Sequence, residues 1–394
     1  LQGGAPHIET FDPKMTAPSN YRSMVGAQST AIPGVEFGGQ IPKMAALADK
    51  LSVVRSFQHT NGDHLGASHY VLTATDAPGG AKKQLAPSFG SITSKVRGPA
   101  HKTTGVPTFT RVSRTVSFDF DQPLWLGGEF APFDISGPAR SNLNLNVDVD
   151  RIGSRQRLRS SLDTIRRRLD QSGAMDATDK FQQQAVDLVL GNAKDAFDTT
   201  REDAQTKAAY GPGLGEQLLS ARRLCEAGCG FVMLNYGWAP TPSETPFAWD
   251  MHLGPSQPNA PAMKGQLESI FPMFDHAISA FLTDVEQRGL SENILLVVTG
   301  DFGRTPKINV HGGRDHWPGL CTLALAGGGL NHGQVIGTSS TKAEYPTSGA
   351  YEPKDLMATL FHVLSIDPAM QADDFNGRPN YLLPTGAKVI SELV

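Results

Sequence analysis

A single α/β domain is the fold the sequence predicts, a three-layer sandwich whose large, mostly parallel central sheet lies between layers of helices. Three observations predict it. Ile294 to Thr299 is an apolar run without polar alternation, as in a strand buried on both faces. From about residue 214 to 365, helical and strand patterns alternate. Polar clusters fall directly after the predicted strands, where open α/β sheets gather their ligands.

The elements follow in order. Residues 1–40 are turn-rich, with Gly3-Gly4 and Phe11-Asp12-Pro13. Pro42 opens a short helix to Lys50, because proline suits a first helical turn. Leu51 to Ser56 reads as a short strand, His59 to His64 as a polar turn and Leu65 to Thr73 as a helix. A strand, a polar loop and a helix start together form a natural anion pocket, since the first amides of a helix are unpaired. Residues 76–150 read as irregular with scattered short strands, and residues 76–213 together as a partly helical insertion within one domain spanning 1–394. Arg151 to Ser172 and Thr178 to Asp198 read as helices, the first with Leu158, Leu162, Ile165 and Leu169 at helical spacing. Residues 200–213 read as a linker. Leu214 to Ala227 is a helix stopped by Gly228, and Phe231 to Leu234 is a buried strand. Leu267 to Gln287 is amphipathic, with Pro272 expected to kink its start. Leu320 to Ala326 is a further apolar run, and Asp355 to Leu364 a late helix.

Composition narrows the function. The 394 residues carry a net charge of −4, with 19% charged and 39% hydrophobic residues. The sequence pI of about 6.3 gives no basic footprint for nucleic acid. No run approaches the roughly 18 apolar residues of a membrane helix. Cys225, Cys229 and Cys321 make an odd count and no disulfide framework. Cys225 and Cys229 are expected to be small buried residues, the alternative being a ligand pair.

Four polar clusters carry the candidate chemistry: His59 to His69, Trp249-Asp250-Met251-His252, Gly300 to Pro306, and His311 to Trp317. Carboxylate and imidazole together suit zinc, manganese or a similar ion. Asp250, His252, Asp301 and His316 are therefore the candidate metal ligands. Each also has a plainer reading: Asp301 as a turn former, the Asp315-His316 pair as loop hydrogen bonding. Arg304, beside Asp301, is the candidate grip on a tetrahedral oxyanion, and Arg55 a weaker one; the plainer reading of Arg304 is a salt bridge to a neighbouring carboxylate. Thr60 is the candidate nucleophile at the strand-to-helix turn, with water activated by the ion as its alternative. His64 and His69 are candidate acid–base groups or extra ligands.

Leu1 to Lys14, His64 to Thr73, Leu224 to Val232, Trp249 to His252, Gly300 to Lys307 and Gly313 to Pro318 resemble the DUF1501 family, abundant in planctomycetes, within the alkaline phosphatase-like superfamily. The resemblance implies an alkaline phosphatase-like, sulfatase-like fold, an opening strand ahead of Gln2, and export to the periplasm or beyond. It implies two metals beside a nucleophile, with Asp250, His252 and His316 matching one site and Asp301 the other. Phe302 stands where that second site expects histidine, and Gln2 where it expects aspartate, so Glu9 or Asp12 becomes the substitute carboxylate. The absence of a Cys-x-Pro-x-Arg or Ser-x-Pro-x-Arg motif disfavours a formylglycine sulfatase. The function so implied is a metal-dependent hydrolase of phosphate or sulfate esters, small-molecule or polysaccharide, using zinc, manganese or calcium. The alternative is a catalytically decayed scaffold with an extracellular glycan-binding or structural role. A phosphomutase, with residues 76–213 as its cap, is a third and weaker reading.

Overall fold

A computed structural model describes residues 1–77, 83–112, 120–135, 193–237, 249–254 and 262–394. The helices expected at 151–172 and over most of 178–198 lie outside these residues.

The chain opens with a short helix α1 (His7–Thr10) and a hairpin of β1 (Ala27–Ser29) and β2 (Glu36–Gly38). Helix α2 (Pro42–Ala46) starts on its proline, as expected. Strand β3 (Ser52–Val54) leads through the polar turn to α3 (His64–Thr73). Asp63 caps α3 by accepting from the Gly66 amide at 3.0 Å. Helix α4 (Phe89–Arg97), strand β4 (Phe109–Arg111) and strand β5 (Phe133–Asp134) follow. β4 and β5 are short strands of the kind expected within 76–150, in a three-stranded parallel sheet, whereas α4, capped by Ser88, is a regular element that was not expected.

Next come α5 (Ala193–Phe197), α6 (Ala204–Tyr210), α7 (Leu214–Glu226), β6 (Phe231–Met233) and α8 (Met263–Gln287). The expected linker at 200–213 is corrected by α6. Asp203 caps that helix, and Tyr210 buries its ring and donates to Asp284 at 2.8 Å. Pro272 lies inside α8, which runs on through it. The apolar stripe explains this: Phe271, Phe274, Ile278 and Phe281 are all buried, and tertiary packing outweighs one lost backbone bond. The remaining elements are β7 (Leu295–Thr299), β8 (Gly303–Arg304), β9 (His316–Trp317), β10 (Leu323–Gly327), β11 (Gln334–Ile336), α9 (Pro353–Val363), β12 (Gln371–Asp373) and β13 (Pro379–Tyr381).

The central sheet has four strands in the order β11-β3-β10-β7. Strand β11 is parallel to β3, but β10 is antiparallel to both β3 and β7. The expectation of a large, mostly parallel sheet is therefore met only in part: the described strands form small sheets, and the main one is mixed. β7 sits at its edge, so most of its residues are half-buried and only Val298 is buried. Alternation along β10 shows how the sheet is covered. Ala324 and Ala326 join the cluster of α2, α7 and α8, while Leu323 and Leu325 join that of α3, α4 and α9. Helices thus lie on both faces.

The mixed order also locates the site. β3 and β7 both run opposite to the strand between them, so their carboxyl ends emerge at one edge. The turn His59–His64 leaves from the first end and Asp301 from the second. The chain entering β10 from β9 arrives at the same edge, because Leu323 is registered with Thr299.

Candidate metal centre

Local sequence explains how Asp250 and His252 come to face together. Trp249 and Met251 are fully buried, whereas Asp250 between them and His252 after them are half-buried. Trp249 packs on Phe271 and Phe274 of α8, with ring centroids 5.6 and 5.5 Å away. Its amide donates to the Gln2 carbonyl at 3.1 Å, and the Gln2 amide donates to that of Tyr236 at 3.1 Å. Trp249 and Met251 thus anchor the segment, and alternation turns the aspartate and histidine outward.

Three imidazoles converge on Asp250. His316 Nε2 lies 3.1 Å from Oδ1, His252 Nε2 lies 3.2 Å from Oδ2, and His64 Nε2 lies 3.6 Å from Oδ2. The ligand atoms of His64, Asp250 and His316 all lie within 4.8 Å of one another. The expected ligands Asp250 and His316 are thereby brought together with His64, while His252, also expected, meets Asp250 but lies outside that group. His64 Nδ1 in turn meets Asp301 Oδ2 at 2.5 Å. Phe302 is fully buried and packs against the rings of His64 and His316, at 4.7 and 4.4 Å between centroids. An apolar wall therefore occupies the position where a histidine was expected.

The charges respond to this crowding. Burial alone would lower the pKa of His64. The hydrogen bonds it donates to Asp250 and Asp301, and their charges, outweigh it and raise the imidazole to about 9. Burial would likewise raise the Asp250 carboxyl. His316, His64 and Arg304 outweigh it and hold that carboxyl far below the usual range. The donor set fits a divalent cation on its chemistry: the ionised Asp250 carboxylate with the imidazoles of His64 and His316, His252 lying against the same carboxylate.

Several expected roles are corrected. Arg304 is fully buried and grips the protein itself. Its Nε donates to the Gly4 carbonyl at 3.0 Å, one terminal nitrogen to that of Arg314 at 3.1 Å, and the other to Gly3 O and to Asp250 Oδ1, the latter at 2.7 Å. It is an anchor for Asp250, which is the salt-bridge reading. Arg55 donates to the Phe11 and Glu36 carbonyls. His69 has both ring nitrogens engaged by backbone, Nδ1 with Thr75 O and Nε2 with the Leu85 amide, each at 2.8 Å. Burial lowers its pKa, and it braces a loop. Glu9 pairs with the buried Arg314 at 3.0 Å and takes the Ser23 hydroxyl at 2.5 Å, while Asp12 takes Ser339 and lies near Lys14 and Arg55. Neither supplies a missing ligand. Thr60 is exposed in the turn after β3, and none of the hydrogen bonds that assemble the cluster involves it. Cys229 is buried and Cys225 half-buried, burial raising both thiols.

Sequence reasoning missed the backbone that shapes the site. Gly3 and Gly4 have φ of +101° and +85° and carry the carbonyls that Arg304 grips. A Cβ on Gly3 would meet the Asp250 amide at 2.5 Å, and one on Gly4 the Phe302 ring at 2.6 Å. His59 was included in a candidate cluster without a role of its own. Its Nδ1 accepts from the Asn61 amide, so Nε2 carries the proton it gives to the Asp301 carbonyl at 2.7 Å. Gly-Gly was the available signal for the first; for His59 it was its place in the polar cluster after the strand.

A model of the family described as "Protein of unknown function (DUF1501)" matches residues 1–394. Among solved structures, a phosphonate monoester hydrolase from Silicibacter pomeroyi is similar, at 14% identity over 85% of this chain and 71% of that one, with a TM-score of 0.38. Nothing matches among curated proteins.

Proposed function

This chain belongs to the DUF1501 family, and we propose that it is a metal-dependent hydrolase of phosphate or sulfate esters. The observation that carries the reading is the convergence of three imidazole Nε2 atoms on the Asp250 carboxylate, at 3.1 to 3.6 Å. A divalent ion held there would polarise an ester oxygen and offset the charge that develops on it.

The chain's own residues would do the rest. Arg304 fixes Asp250 from behind, through 2.7 Å contact with Oδ1. His316 Nδ1 donates to the Gly62 carbonyl at 3.0 Å, which ties the turn bearing Thr60 to the cluster. In this reading Thr60 is the candidate nucleophile, exposed where a substrate can reach it. Export to the periplasm or beyond belongs to the same proposal.

A second reading, a decayed scaffold that binds glycans or serves structure, draws on two observations. Phe302 cannot ligate, and Arg304 is committed to the protein's own carbonyls. One experiment separates the two. The purified chain is loaded with zinc, manganese or calcium and tested on aryl phosphates and aryl sulfates, with Asp250→Asn as control. Turnover that requires the ion and Asp250 supports the hydrolase. A metal-loaded chain that turns over none of these esters but retains sulfated polysaccharide supports the second reading.

A further inference from the structure

We propose that an aromatic pocket behind β8 and β9 is a subsite for an anionic sugar, so that the ester substrate is a charged polysaccharide rather than a small molecule. The proposal rests on the ester-hydrolase reading above and names its substrate class.

The argument starts from the β8–β9 pair. Gly303 is registered with Trp317 and Arg304 with His316. Opposed residues share a face of a strand pair and successive ones alternate, so Trp317 lies on the face away from His316 and its partner Asp250. There it lines a pocket of about 350 Å³ with Tyr21, Pro306, Lys307, Glu344 and Tyr345. Small-molecule sites of this size pair aromatic walls with a few polar groups. The walls are fixed before any ligand arrives. The Trp317 indole donates to the Glu344 carbonyl at 2.8 Å. The Ser340 amide donates to the Tyr345 carbonyl at 2.9 Å, and the Glu344 amide to Ser340 Oγ at 2.8 Å, which closes the loop that carries both residues. The Tyr21 carbonyl accepts from the buried Arg314 at 3.1 Å. Tyr345 is nevertheless 57% exposed, a large ring left open to solvent. Rigid aromatic rings held in this way bind at low entropic cost.

Charge selects the occupant. Lys307 is exposed in the pocket wall, and the Lys342 ammonium lies over the Tyr21 ring, 4.8 Å from its centroid. Among the described residues neither lysine is in an ion pair. Glu344 sets one carboxylate against these two ammoniums. A sugar ring offers polarised C–H groups to the negative face of an aromatic ring and keeps its hydroxyls in water. A sulfate or phosphate on that sugar answers the lysines. The strand pair stands between this pocket and Asp250, so a ligand that occupies both is a chain of several units.

The test measures binding of dextran sulfate, phosphorylated dextran and plain dextran to the metal-free, full-length chain by calorimetry, in wild type, Tyr345→Ala and Lys307→Met. The net charge of −4 opposes a polyanion, so attraction must come from a local patch. A charged polymer is expected to bind and plain dextran not to; the tighter of the two charged polymers identifies the ester. Tyr345→Ala should weaken binding about 5- to 30-fold. Lys307→Met should weaken it and flatten its dependence on salt. Wild type that ignores both charged polymers overturns the proposal, as does Tyr345→Ala within about 2-fold of wild type. Aryl-ester turnover by the metal-loaded chain is read in parallel. Turnover without polymer binding overturns the subsite and leaves the hydrolase reading standing. Polymer binding without turnover keeps the subsite as a binding surface and defeats the hydrolase reading. Should Tyr345→Ala fail to fold, saturation-transfer NMR on wild type decides: transfer from aromatic protein protons to the sugar C–H groups is expected, and its absence overturns the proposal.

Discussion

Replacing Arg304 with methionine separates a structural anchor from a substrate-binding arginine. The aliphatic stem is kept and the guanidinium is removed. In the folded chain that group pairs with Asp250 Oδ1 at 2.7 Å and donates to the carbonyls of Gly3, Gly4 and Arg314. It is fully buried, whereas the Asp250 side chain is 23% exposed. Removing one partner of a buried pair costs about 3–5 kcal/mol, because the charge left behind is uncompensated. Partial exposure of Asp250 lowers that figure, while three carbonyls deprived of a donor, at roughly 1 kcal/mol or more each, raise it. The two corrections oppose each other, so the expected loss is about 4 kcal/mol. Denaturant unfolding reads it as a lower midpoint at unchanged slope. Arg304→Lys, with charge but no fork, should fall between. If Arg304→Met unfolds within about 1 kcal/mol of wild type while ester turnover collapses, the arginine acts on substrate and the anchor reading is wrong.

Three further outcomes follow from the same structure. His7 is buried, and burial, only partly opposed by its hydrogen bond to Ala343, lowers its pKa from 6.5 to about 4. The unfolded chain therefore takes up this proton first as pH falls. Stability should decline between pH about 6.5 and about 4, by roughly 3 kcal/mol from this group, and urea midpoints for His7→Gln should show a shallower decline. Gly4→Ala should destabilise by about 2–3 kcal/mol, combining left-handed backbone strain with a clash against Phe302. Gly34→Ala, at φ +76° with nothing within 4 Å, should show only the smaller backbone cost in thermal melts. His69→Gln should lower stability by about 1–3 kcal/mol and leave turnover per folded molecule unchanged, since its nitrogens serve Thr75 and Leu85; a selective loss of turnover would restore its acid–base role.

The sequence exposed the site's carboxylates and imidazoles because strand ends announce themselves. The apolar run before Asp301 and the Trp-Asp-Met-His alternation both place a polar residue at a boundary. Strand direction was not visible. β10 reads like a parallel-sheet strand because helices cover both its faces, and an antiparallel strand so covered has the same apolar pattern. Helix α6 was read as linker because its exposed residues give no apolar stripe; only Tyr210 is buried. Arg304 was misjudged for a different reason. Whether an arginine faces a ligand or its own backbone depends on the Gly3 and Gly4 carbonyls, about three hundred residues away in sequence and invisible to any local pattern. The contact between His64 and Asp301 has the same origin, spanning 237 positions.

The most direct test is a crystal grown with zinc and measured on both sides of the zinc absorption edge. An anomalous peak bounded by Asp250, His64 and His316 is the predicted result. A difference map with no peak there, or with zinc only on surface groups, would contradict the account.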